Sequence, residues 1–252
     1  MSLASLYDLK RLQPVFDTSS FDDKPLIELL DVSALQIVKR LARRYPTPIT
    51  EYSTGAIEFS GNAAEDDTVT LGLTVYRFKA TPEDPYDIDI GADATASALN
   101  LANAINESIY NTAYYDQTAI NPFAGASADS GVITLKARKG GPGGDDIPLS
   151  TTGANIDITA FSGGAREFPM LVLLNTQMCK LLALGGQQNS NIGTGSASAA
   201  DVAEQIKAAW EDLEASGGYL VDTTGTTFAS SSFILQEDAI EDPDDGMIFD
   251  AE

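Results

Sequence analysis

The stretch "LARRYPTPITEYSTGAIEFSGN", residues 41–62, changes character midway. It begins as the end of a helix that carries Arg40, Arg43 and Arg44, meets Tyr45-Pro46-Thr47-Pro48, and then reads as strand, turn and strand. Upstream, Ile27, Leu30, Ala34, Ile37, Val38 and Leu41 recur at the three-and-four spacing of an amphipathic helix within residues 22–44. Asp22 or Asp23 is placed to cap its free amides, and Pro25 is tolerated in a first turn. Pro46 ends the helix, because the residue before a proline is biased away from the helical region. Earlier still, Leu3, Leu6, Leu9 and Leu12 predict a short first helix.

Downstream the texture is different. "GAIEFSGN", "DTVTLGLTVYRFKA", "YDIDIG", "SGVITLKAR" and "NIDITAFSGG" are short β-branched or aromatic runs punctuated by glycines. Among them, "DATASALNLANAINESIY" places Ala98, Ala102, Ile105 and Ile109 on one helical face. After Arg166 helical patterning returns. "EFPMLVLLNTQMCKLLAL" predicts a buried helix, and the polar run "GGQQNSNIGTGSAS" a flexible loop. Ser198 to Asp201 has the form of a capping box opening a helix with Val202, Ile206, Ala209, Trp210 and Leu213 on one side. Neither helical flank can cover its own apolar face alone, so the two are expected to pack together. The expected fold class is therefore α+β multidomain. A helical-bundle domain made of 1–52 and 167–222 is interrupted by a small β-rich domain with one helix, 53–166, and followed by an acidic extension, 223–252.

Bulk properties narrow the function. The chain has 252 residues, is 43% hydrophobic, and carries a net charge of −22 from 15 basic and 37 acidic residues. That charge opposes ordinary nucleic-acid binding. It is unevenly spread: residues 1–52 are neutral, whereas the last sixteen hold eight acids and no base. No apolar run is long enough for a transmembrane helix, and no secretory signal is expected at the N-terminus. Cys179 is the single cysteine, which excludes an internal disulfide and suits a reducing cytoplasm.

The segment "DDKPLIELLDVSALQIVKRLARRYPTPI" resembles the first part of head–tail connector (adaptor) proteins of tailed bacteriophages. Asp22-Asp23, Ser33-Ala34 and Arg44-Tyr45-Pro46-Thr47-Pro48-Ile49 fill that family's pattern. "FPMLVLLNTQMCKLLAL" and "VAEQIKAAWEDLEA" are similar to its later helices. The stretch "GAIEFSGN…DTVTL…ATASALNLANAIN" resembles a β-module of phage virion proteins. The resemblance implies a helical-bundle protomer that assembles as a homo-oligomeric, dodecameric ring beneath the portal protein. The ring extends the DNA channel toward a tail terminator or tail completion protein, and DNA passes its lumen without specific binding. The chain would be made in the host cytoplasm and reside in the virion neck, with no catalytic residues, cofactor, metal or membrane partner. The alternative is a capsid decoration or host-glycan-binding virion protein that works through its β-domain.

Enzymatic chemistry finds little footing. Without histidine there is no Ser-His-Asp triad and no His metal site. "KGGPGGDD", 139–146, lacks the Gly-Lys-Ser/Thr of a phosphate loop and reads as a mobile hairpin turn. "EDPDDGMIFDAE", 241–252, imitates calcium-loop spacing, but Pro243 takes a ligand slot; a solvated acidic tail is the plainer reading. Asp87 and Asp89 alternate along a strand, which marks the wet face of an antiparallel sheet more often than an acid/base pair. Trp210 is expected in the core. Two groups are candidate portal or inter-subunit contacts. The first is the basic helix end, Lys39, Arg40, Arg43 and Arg44, although a solvated face favoured by the helix dipole also explains it. The second is the pair of apolar clusters Phe233, Ile234, Leu235 and Met247, Ile248, Phe249, set in a tail unable to fold alone.

Overall fold

The computed structural model describes residues 2–17, 21–42, 45, 48–108, 113–185, 199–215, 220–221 and 227–228. Helix α1 (Leu6–Leu12) starts at a capping box. Ser5 accepts the Asp8 N–H, and the Asp8 carboxylate accepts the Ser5 N–H. After a 3₁₀ turn (Pro14–Phe16), helix α2 spans Asp23–Leu41. Asp22 sits at its N-cap position without a side-chain bond to the helix amides. Tyr45 is buried, and its N–H bonds the Leu41 carbonyl at 2.9 Å.

The chain then folds into strands β1 (Thr54–Phe59), β2 (Thr68–Leu71), β3 (Thr74–Lys79) and β4 (Asp87–Asp89), helix α3 (Ala94–Asn106), and strands β5 (Ala124–Asp129), β6 (Val132–Ala137), β7 (Leu149–Thr151) and β8 (Ile156–Ser162). Helices α4 (Pro169–Gly185) and α5 (Ala199–Ala215) follow, with a two-residue pairing of β9 (Leu220–Val221) and β10 (Thr227–Phe228). One sheet has the order β5-β6-β1-β8, the other β4-β3-β2-β7. All pairs are antiparallel except β3 with β4.

This corrects the fold expected from sequence. The chain is α+β, with five α-helices and two four-stranded sheets among the described residues, and the sheets are substantial. It is not a helical bundle carrying a minor β insertion with one helix. The reason lies in β5 ("AGASAD"), whose inward side chains Ala124, Ala126 and Ala128 are too small to announce a strand, and in β7 ("LST"), which is only three residues long. Both are edge strands. Without them each sheet looks too small.

Alternation on the central strands sends Ile57, Phe59, Val69, Leu71, Tyr76, Phe78, Ile133 and Leu135 into one core, closed by the Ala98, Leu101, Ala102 and Ile105 face of α3. Alanines on that face let the helix lie close to the sheets. The β5 edge is covered by a side chain. Asn106 donates its amide to the Ala126 carbonyl at 2.7 Å and accepts the Ala126 N–H at 3.1 Å, so it replaces a neighbouring strand. At the β2–β3 turn Gly72 has φ +64°, and a Cβ there would lie 2.2 Å from the Phe123 ring.

The helices form two further clusters. Ala34, Ile37, Leu41 and Tyr45 pack with Leu171, Leu174, Met178, Ile206 and Trp210. Leu6, Leu9, Phe16, Leu26 and Leu30 pack with Val172, Cys179 and Ile120. A dense polar seam joins helices to sheets. Ser2 pairs in parallel with Lys139, and Glu51 pairs antiparallel with Ala165 where the chain enters and leaves the β unit. Lys139 bridges Asp8 at 2.9 Å and Glu167 at 2.8 Å. Lys24 donates to the Glu107 carbonyl, and Tyr7 stacks on Phe123.

The core of the β unit draws all its members from residues 57–161. Residues 53–166 expressed alone are therefore expected to fold, with a β-rich circular dichroism spectrum and cooperative urea unfolding. A non-cooperative transition would show that the helical seam is needed to close that core.

Candidate functional site

The surface best suited to a partner lies where α2 meets the strand-bound segment 48–52. Val32 and Leu35 stand on α2 at 48% and 55% exposure, although the opposite side of the helix is fully buried. Beside them runs a groove of about 620 Å³, walled by Val32, Leu35 and Val38 of α2 and by Pro48, Ile49 and Tyr52. Exposed apolar side chains occur singly on most proteins; several along one helix, continuous with an apolar groove, mark a contact surface.

Charged groups ring this surface. Lys136 of β6 lies over the Tyr52 ring, 4.9 Å from its centroid. Asp31 lines the groove near Tyr52, and it also acts on the Arg138 guanidinium, whose pKa burial lowers and Asp31 partly restores. Burial, and then the negative charge of Asp31, pushes the Tyr52 phenol up to about 12. That phenol is therefore neutral at any physiological pH.

The basic end of α2 adjoins this face. Lys39 and Arg40 are exposed in the last turn, where the helix dipole favours cations. Arg40 also stacks over the buried Trp210 ring at 4.3 Å from its centroid, which ties α2 to α5. Arg40 thus has a packing role that its sequence position did not reveal. Arg43 and Arg44 lie outside the described residues, as do Phe233, Ile234, Leu235, Met247, Ile248, Phe249 and the calcium-like spacing of 241–252.

Other sequence candidates resolve as structure. Asp87, expected on a wet face, is 2% exposed. One oxygen accepts both Arg77 Nε at 2.9 Å and Nη2 at 2.8 Å, and the other accepts the N–H groups of Glu83 and Asp84. The wet-face reading fails there because β4 is parallel to β3 and the 80–87 loop wraps the carboxylate. "KGGPGGDD", expected as a mobile hairpin turn, holds a 3₁₀ turn (Pro142–Gly144) packed into the seam. Gly141 N–H bonds the Glu51 carbonyl, and Asp145 accepts Ser53 Oγ at 2.6 Å and Gly164 N–H at 2.9 Å. Cys179 is buried, and burial pushes its thiol up to about 12, which removes it as a nucleophile at neutral pH.

Asn175 is the residue that sequence reading passed over. It is fully buried at the meeting of the N-terminal segment, α2 and α4. Its Oδ1 accepts the N–H groups of Leu3 and Ala4, while its Nδ2 donates to the Leu30 carbonyl and to Ser33 Oγ. The polar run Asn175-Thr176-Gln177 inside the otherwise apolar "LVLLNTQM" was the available signal. Among the described residues no group of three acidic, cysteine or histidine side chains could hold a metal, and no helix is long and apolar enough to cross a membrane. The chain matches no protein-family model and none of the curated proteins.

Proposed function

We propose that this chain is a structural protein of the phage neck, a head-to-tail connector or adaptor that assembles as a homo-oligomeric ring, docks under the portal and extends the DNA channel toward the tail. The observation that carries this reading is the face of α2, where exposed Val32 and Leu35 adjoin the cationic pair Lys39 and Arg40. On a chain of net charge −22, a concentrated cationic end beside an apolar stripe is complementary to the acidic surface elsewhere on a neighbouring copy. On a neighbouring copy acids outnumber bases, 37 to 15, so the cationic end finds more attraction than repulsion there. Contacts of unlike surfaces between copies close into rings when the rotation permits. Acids left over line rims or lumen, where phosphate gains no attraction and DNA slides without sticking.

Particles assembled without the protein are expected to package DNA but to lose it or fail to join tails. Lys39→Glu is expected to weaken assembly in a salt-dependent way. Full infectivity of such particles would overturn the proposal. Intact, tailed particles that lose only capsid robustness or host adsorption would instead assign a decoration or glycan-binding role to the β unit.

A further inference from the structure

The groove beside α2 has walls but no occupant among the described residues, and the chain itself carries a segment of matching chemistry. The groove is apolar along Val32, Leu35, Val38, Pro48 and Ile49; Lys39 follows Leu35 by one helical turn, and Lys136 lies over the Tyr52 ring. Its one carboxylate, Asp31, acts on Arg138. The chain continues past Phe228 for twenty-four residues, "ASSSFILQEDAIEDPDDGMIFDAE", which hold eight acids and no base. In that segment Phe233, Ile234 and Leu235 are followed at once by Gln236, Glu237 and Asp238.

We propose that the groove seats this chain's own C-terminal segment, with Phe233, Ile234 and Leu235 against its apolar walls and Glu237 and Asp238 meeting Lys39 and Lys136 at its rims. An extended strand advances about 3.3 Å per residue, so acids two and three positions after Leu235 fall roughly 7–10 Å on, beyond the apolar floor. The tether permits it. Trp210 holds α5 against the last turn of α2 through Arg40, two residues from Val38. Residues 216–232 span at most ~60 Å when extended, a reach that the pairing of β9 with β10 shortens. The tether favours this occupant over a second copy in dilute protein, since an attached segment keeps a high effective concentration, and its acids fall among the cations bordering the groove. Occupation covers the same face of α2 that carries the connector reading, so the two contacts are alternatives. This goes beyond the virion reading and does not depend on it.

The test uses the full chain with Phe233→p-benzoylphenylalanine, irradiated as dilute purified protein and mapped by mass spectrometry. The expected result is an intrachain cross-link to residues 32–38 or 48–52. Its yield should fall about tenfold in Leu35→Glu, which places an unpaired charge in the apolar floor, and about threefold in Lys136→Glu. Leu35 is already exposed, so that variant should keep its circular dichroism. Val75→Glu, on an equally exposed site of β3, should leave the yield unchanged. Cross-links to another copy, cross-links elsewhere on the chain, or a yield indifferent to Leu35→Glu would each overturn the proposal.

Discussion

Asn175→Ala is expected to lower the unfolding free energy by about 3–5 kcal/mol, the loss of a buried network rather than of one bond. The substitution removes the acceptor for the Leu3 and Ala4 N–H groups and the donor to the Leu30 carbonyl and Ser33 Oγ. Ser33 can still bond the Leu30 carbonyl at 3.1 Å. The two N-terminal amides have no such alternative, because Leu3 and Ala4 are themselves buried. A buried donor left unpaired costs roughly 1–3 kcal/mol, so those two groups dominate the total. Asn175→Leu, which refills the space with an apolar side chain, should be nearly as damaging, since the orphaned amides remain. Urea denaturation of the three proteins checks this. If either variant lost under 1 kcal/mol, Asn175 would not be the clasp that holds the N-terminal segment onto α2 and α4.

The clasp illustrates what was legible and what was not. Periodicity located α2, α3, α4 and the central strands, because their apolar faces are set by burial against one core and leave a repeating imprint. It did not locate β5, whose core-facing residues are all alanine. That strand is fixed by β6 on one side and by the Asn106 amide on the other. An interaction that one residue makes with a backbone twenty positions away leaves no period to read. The same holds for the seam, where Lys139, Asp8 and Glu167 come from three separate stretches. On the candidate site, the basic end of α2 was visible as charge, but the groove was not. Pro48 read as part of a helix stop and Tyr52 carried no signal, and only the return of the chain past α2 turns them into a wall. Arg40 was legible as a cation and illegible as the lid on Trp210.

Asp87 and Asp89 look alike in sequence and should behave very differently. Asp87→Ala is expected to cost about 2–4 kcal/mol, and Asp89→Ala less than about 0.5. Asp87 is buried under the 80–87 loop and gathers the Glu83 and Asp84 amides with the Arg77 guanidinium; Asp89 is half-buried at the end of β4. Removing the Asp87 carboxylate leaves both amides unpaired and frees the loop that leads into Ile88, a fully buried member of the core. Arg77 is partly exposed and can turn to Asp84, 3.2 Å away, so its loss contributes less. Burial alone would raise the pKa of Asp87. The Glu83 amide, Arg77 and the Asp84 amide outweigh it, and the folded carboxyl titrates below its ordinary value. A group whose pKa is depressed by folding stabilises the native state above its unfolded pKa, near 4, and loses that contribution as pH falls through the folded value. Wild-type stability attributable to this site should thus be flat from neutral pH to about 5 and decline below about 4. The difference in unfolding free energy between wild type and Asp87→Ala should shrink over that acid range. A difference that stayed constant down to pH 3 would mean that the loop, rather than the ionised carboxylate, holds β4 in place.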